Sequence, residues 1–67
     1  MNIHFTKREL DIIRKIADGL SNKEIGDILF VSKHTVKANL ETIYQKTNCN
    51  NRVQLVIWAI KNKVINL

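Results

Sequence analysis

His34, Ala38, Glu41 and Gln45 stand three or four residues apart, with Lys37 beside Ala38, in a stretch rich in helix formers. At ~100° per residue that spacing gathers His34, Ala38, Glu41 and Gln45 on one side of a helix, with Lys37 on its flank. The opposite side carries Val36, Leu40, Ile43 and Thr47. The first group holds donors, acceptors and one small residue but no large hydrophobe, which is what an approach to base-pair edges requires. A lysine donates to guanine O6 and N7, glutamine pairs with adenine, glutamate accepts from cytosine N4, and alanine admits close approach or touches a thymine methyl. A solvated helix face has the same composition, so the surroundings must decide between the two.

Those surroundings contain groups suited to phosphate. Ser21, Asn22 and Lys23, and then Ser32, Lys33 and Thr35, form two clusters of short polar and basic side chains at places where helices are expected to start. Helix starts expose backbone N–H groups and the positive end of the peptide dipole. Ser21 and Ser32 are explained as caps alone, whereas Lys23, Lys33 and Thr35 are not required for capping. Lys46 and Arg52 lie late in the same helix and at the start of the next, where they are expected to hold a flanking strand.

Charge follows the same division. The net charge is +5, yet residues 1–31 balance Lys7, Arg8, Arg14, Lys15 and Lys23 against Glu9, Asp11, Asp18, Glu24 and Asp27. Residues 32–67 set Lys33, Lys37, Lys46, Arg52, Lys61 and Lys63 against Glu41 alone, so the whole excess lies in the second half and draws a polyanion there. Charge by itself also fits an anionic membrane surface. Catalysis is not expected: six carboxylates, two histidines and one cysteine are dispersed, with no converging nucleophile, base or metal set. Cys49, His4 and His34 lack zinc-ligand spacing, and Cys49 reads as a buried or idle thiol. No cofactor and no small-molecule ligand are expected.

These groups need a scaffold, and 67 residues with 45% apolar content, no proline and two glycines favour one small all-α domain over residues 1–67. No stretch approaches the ~18 apolar residues of a membrane span, and the lead Met1 to Phe5 is no signal sequence, so a cytoplasmic protein without a membrane partner is expected. Thr6-Lys7-Arg8-Glu9 and Ser21-Asn22-Lys23-Glu24 both have capping-box spacing. The first predicts a helix over 7–18, with Leu10, Ile13, Ile16 and Ala17 inward and Gly19 as its left-handed stop. The second predicts a helix over 22–29, with Ile25, Ile28 and Leu29 inward. Gly26 in its middle implies that a neighbouring helix crosses closely. After a tight link through Phe30 and Val31, Ser32 caps a third helix over 33–47. Helices two and three thus have the outline of a helix-turn-helix.

The fourth helix, predicted over 52–62, is apolar on two sides. Val53, Val56, Ile57 and Ile60 are expected to face the core, leaving Leu55, Trp58, Ala59 and Asn62 as an interface with a second copy. The alternative is that Trp58 folds over the first helix and completes the core.

The spaced string Phe5-Thr6-x-Arg8-Glu9, Ile16-Ala17-x-Gly19-x-Ser21-Asn22-Lys23-Glu24-Ile25, Ser32-x-x-Thr35-Val36-Lys37 and Ile43-x-x-Lys46 with Arg52 closely resembles the LuxR-type helix-turn-helix domain. The resemblance runs from Phe5 to about Ala59. It implies a four-helix bacterial transcription regulator domain, commonly dimeric through its fourth helix and often carried as the effector of a response regulator. It further implies Lys37 as the main groove-facing lysine, Thr35 and Lys23 as phosphate contacts and Lys46 as a backbone contact. Glu9 and Glu24 are implied to be structural, and Leu10, Ile16, Ile25, Val36 and Ile43 to be core. Asn39 stands where many members have histidine, so a backbone role of that histidine is not carried over to this chain, and Glu41 stands where several have lysine or arginine, which implies a different operator preference. In the family this domain usually follows a receiver or ligand-binding domain, and neither fits in the four residues before Phe5, so either an excised effector domain or a small stand-alone regulator is expected. The expected partners are double-stranded DNA, a second copy and RNA polymerase. The competing reading is an interaction module that keeps the fold and no longer binds DNA.

Overall fold

A computed structural model describes residues 3–66, so Met1, Asn2 and Leu67 of the expected 1–67 domain lie outside the described residues. Four helices and no strands make up the described chain: α1 (Lys7–Ala17), α2 (Asn22–Leu29), α3 (Lys33–Thr47) and α4 (Arg52–Lys61).

Each helix begins where a short polar side chain can replace a missing backbone partner. Thr6 Oγ1 accepts the Glu9 amide at 3.1 Å while Glu9 Oε1 accepts the Thr6 amide at 2.8 Å. Ser21 and Glu24 repeat that reciprocal pair at 3.1 and 2.9 Å. Ser32 caps α3 through the Thr35 amide, and Asn51 caps α4 through that of Gln54. A cap of this kind is worth ~1 kcal/mol, a large increment for a small domain. Just past the end of α1, Gly19, with a φ of 85°, turns the chain so that the Leu20 amide can return to Lys15 O at 3.1 Å.

Gly26 is needed, although not for the expected helix crossing. A Cβ there would come within 2.6 Å of Val31 O, so it is the backbone of the α2–α3 turn that folds back onto α2. The turn itself passes through Phe30 in the left-handed region, at φ 60° and ψ 40°, and leaves the residue 94% exposed.

The core holds Ile12, Ile13 and Ile16 of α1, Ile25 of α2, Val36, Leu40 and Ile43 of α3, Leu55 and Ala59 of α4, with Cys49 and Ile65. Ile12 therefore joins the inward stripe of α1, beside which Leu10 and Ala17 are only half-buried. Ile28 is half exposed and does not serve as the core residue expected of it. Thr47 is buried, and its hydroxyl donates to Ile43 O at 2.9 Å. After α4 the chain turns through Lys63, at φ 58°, and the Val64 and Ile65 amides both return to Ala59 O, which seats Ile65 in the core.

The faces of α4 differ in part from the sequence reading, for Val56 and Ile60 pack against the core as expected while Val53 and Ile57 do not. Leu55 and Ala59, expected on a dimer surface, are completely buried against the other helices of the same chain. Val53 and Ile57, expected inside, are 69% and 47% exposed. Trp58 is half-buried and meets the edge of Phe5 at 5.8 Å between ring centroids, so it covers the N-terminal lead. Asn62 is exposed at the end of α4 and donates to Trp58 O of its own helix at 2.8 Å. Leu55 and Ala59, four residues apart, form the centre of the buried side of α4, with Val56, Trp58 and Ile60 partly buried beside them.

Candidate nucleic-acid interface

α3 is anchored by Val36, Leu40, Ile43 and Thr47, all buried, and this fixes which side looks outward. His34, Lys37, Ala38, Glu41 and Gln45 are all exposed, so the five residues expected to read bases share an open surface. None packs against the chain's own interior. No large apolar side chain interrupts them, and Ala38 leaves the backbone of α3 accessible at its centre.

The starts of α2 and α3 carry the expected polar groups. Ser21, Lys23, Ser32, Lys33 and Thr35 are exposed, and Asn22 is half-buried. The Ser32 and Thr35 hydroxyls lie 3.1 Å apart, and each retains acceptor capacity. Lys23 pairs with Asp27 at 3.0 Å, but both side chains are largely exposed, with 76% and 67% of their surface open. Such a surface pair contributes at most ~1 kcal/mol, so an arriving phosphate can exchange for Asp27 at little cost. Glu24 is held below the usual carboxylate range by the Ser21 backbone N–H and hydroxyl, and stays charged as a cap.

Lys46 and Arg52 stand late in α3 and at the start of α4, and both are engaged within the chain. The Lys46 ammonium donates to Glu9 Oε1 at 2.7 Å and to His4 O at 2.9 Å, and sits 5.9 Å from the Phe5 ring centroid. Arg52 donates to Asn22 Oδ1 at 2.7 Å and Leu20 O at 2.6 Å. Both cations thus fasten the chain to itself: Lys46 pins the N-terminal lead to the end of α3, and Arg52 pins the start of α4 to the start of α2. Asn22 is correspondingly engaged as an acceptor.

Glu9 is only 4% exposed. Burial pushes its carboxyl up, but the Lys46 hydrogen bond, the Thr6 amide and the lysine charge outweigh that and bring it below the usual range. The glutamate is therefore structural, in line with what the resemblance implied.

Sequence reasoning did not place Asn39 and Thr42. Both bond back to the helix, Asn39 Nδ2 to Thr35 O at 2.8 Å and Thr42 Oγ1 to Ala38 O at 3.3 Å. A polar side chain four residues after a helical carbonyl is the available signal for such bonds, and it is a weak one. Among the described residues no helix is long and apolar enough to cross a membrane, and no cluster of metal-ligating side chains occurs.

Comparison with known proteins agrees with this layout. Residues 4–59 match the model of the bacterial regulatory proteins of the luxR family. The transcriptional regulatory protein YxjL of Bacillus subtilis (strain 168) is 46% identical over 61 residues, which are 91% of this chain and 28% of that protein. LiaR of the same organism is 43% identical over 61 residues, 91% of this chain and 29% of its own length. The transcriptional regulatory protein DegU of Brevibacillus brevis is 44% identical over 57 residues, 85% of this chain and 24% of that one. The chain thus spans under a third of the length of these relatives. In structure, the response regulator ChrA of a heme-sensing two-component system superposes with a TM-score of 0.90 at 32% identity, over 97% of this chain and 32% of that one. Motif spacing, fold and matched residues agree, and the chain belongs to the luxR family of bacterial regulatory proteins as a LuxR-type helix-turn-helix DNA-binding domain, a family of transcription regulators and not of enzymes.

Proposed function

We propose that α3 enters the major groove of duplex DNA and reads base edges with His34, Lys37, Ala38, Glu41 and Gln45. The starts of α2 and α3 grip the flanking phosphates through Ser21, Lys23, Ser32, Lys33 and Thr35. The observation that carries this reading is the outward side of α3, which is wholly open, free of large hydrophobes, and lies in the half of the chain that holds all the excess positive charge. An interaction module would not require basic and hydroxyl side chains at both helix starts. Lys46 and Arg52 act on the duplex indirectly in this reading, by fixing where the two helix starts sit.

The domain works as a homodimer through α4 in the same reading, with Val53 and Ile57 as the contact in place of Leu55 and Ala59. An exposed apolar stripe on a helix can pair with its own copy about a two-fold axis, which sets two reading helices on half-sites about one helical turn apart. Contact with RNA polymerase and a cytoplasmic, DNA-associated location belong to the same proposal.

The test is a titration of duplex DNA across a salt series. Several lysines displacing counterions should make affinity fall steeply with salt. Lys23→Ala should weaken all sequences alike and reduce the salt slope by about one, whereas Lys37→Ala should cost ~1 to 3 kcal/mol on the preferred sequence and relax preference at one base pair. Affinity that is absent, or indifferent to salt, would favour the interaction module.

A further inference from the structure

The polar groups on the outward side of α3 are not equally available to a base. Thr42 and Asn39 give their side-chain hydrogens to the helix carbonyls of Ala38 and Thr35. Lys37 and Glu41 have no such engagement. They stand four residues apart, where a lysine and a glutamate on a helix can meet, although lysine preceding glutamate is the weaker orientation. They do not pair: the ion pairs among the described residues are Arg14–Asp11, Lys23–Asp27 and Lys46–Glu9. Glu41 is thus an exposed, unneutralised carboxylate and the only acid in residues 32–67.

A free carboxylate has one place on such a surface where it is not a liability. Facing phosphate it repels, and facing most base edges it also repels, because it can only accept. Guanine presents N7 and O6 and thymine presents O4, all acceptors, while adenine sets its N7 acceptor beside the N6 donor. Cytosine sets its N4 amino group at the open end of the pair, with guanine O6 on one side only, whereas adenine N6 lies between two acceptors, its own N7 and the paired thymine O4. The rise from Lys37 to Glu41 is about 6 Å, equivalent to roughly one or two base pairs along the groove.

We infer that Glu41 is the specificity filter of this domain: it accepts from the N4 amino group of a cytosine lying one or two base pairs from the guanine met by Lys37, and rejects other bases there by acceptor-on-acceptor repulsion. The filter rests on the groove-reading proposal and names part of the sequence it selects. Its effect is exclusion as much as attraction, since an uncompensated carboxylate weakens every wrong complex.

The experiment is selection of binding sites from random duplex by the wild-type protein, Glu41→Gln and Glu41→Ala, with Lys37→Ala alongside. The expected wild-type motif holds a guanine and a cytosine one or two base pairs apart. Glu41→Gln, which can donate as well as accept, should move the cytosine position towards adenine. Glu41→Ala should lose preference there, on the order of tenfold, and bind random duplex more tightly than wild type. The same base selected at that position by all three proteins, in a motif that still changes with Lys37→Ala, would overturn the filter and leave groove reading intact. No motif from the wild type, with Lys37→Ala indistinguishable from it, would overturn both.

Discussion

Replacing Leu55 by glutamate and Ile57 by glutamate should give opposite outcomes two residues apart on one helix. Leu55 is 0% exposed, in the core with Ile12, Ile13 and Ile16 of α1. Truncating such a leucine costs ~2 to 5 kcal/mol, and a carboxylate without a buried partner costs more. At ~0.05 to 0.15 kcal/mol per residue the 67-residue chain has a total stability of roughly 3 to 10 kcal/mol. Leu55→Glu should therefore leave little or no folded protein at neutral pH. Ile57 is 47% exposed, so only about half of the ~1.5 to 3 kcal/mol of full burial is at stake, or ~1 kcal/mol. Ile57→Glu should stay folded and, by setting like charges across the proposed two-fold contact, dissociate the dimer. Circular-dichroism melting followed by sedimentation velocity at matched concentration reads both effects. A cooperative, near-native melt for Leu55→Glu would refute the packing described for α4. A folded Ile57→Glu that still sediments as a dimer would refute the stripe as the contact.

Three further outcomes follow from local geometry. Gly26→Ala should destabilise by on the order of 1 to 3 kcal/mol in a denaturant melt despite alanine's higher helix propensity, because the new Cβ meets the Val31 carbonyl at 2.6 Å; a more stable variant would show that the turn is free to move. Phe30→Asn should raise stability by several tenths to ~1 kcal/mol, since the ring is almost fully exposed and asparagine tolerates the left-handed backbone at lower cost. Glu9, held below its ordinary value, should contribute stability that is fully present above the unfolded carboxylate range and lost as pH falls through the lower folded value. Glu9→Gln should flatten that acid limb of a pH series of thermal melts, and an unchanged limb would show that the Lys46 tie is not coupled to folding.

The helix limits were largely legible because their signals are local. Thr6 with Glu9, Ser21 with Glu24, and Ser32 each lie within four residues of the amides they satisfy, and Gly19 marks its own left-handed turn. The outward side of α3 was legible for a related reason: Val36, Leu40, Ile43 and Thr47 leave only one other side. The face of α4 was not. Val53, Leu55, Val56, Ile57, Trp58, Ala59 and Ile60 put apolar groups almost all round the helix, so periodicity offers two answers, and only the packing of α1 and α3 chooses Leu55 and Ala59. The roles of Lys46 and Arg52 also depended on the fold. Their partners lie 37 and 42 residues away for Lys46 and 30 and 32 for Arg52, and no local pattern distinguishes a lysine that holds a carbonyl from one that awaits a phosphate.

Groove choice by α3 is tested most directly by dimethyl sulfate footprinting on the selected duplex, because the reagent methylates guanine N7 in the major groove and adenine N3 in the minor groove. Major-groove entry by α3 predicts strong protection of one guanine N7 per half-site, lost in Lys37→Ala, with minor-groove adenines unprotected. Protected adenine N3 atoms beside fully reactive guanines would place the protein in the wrong groove and contradict it.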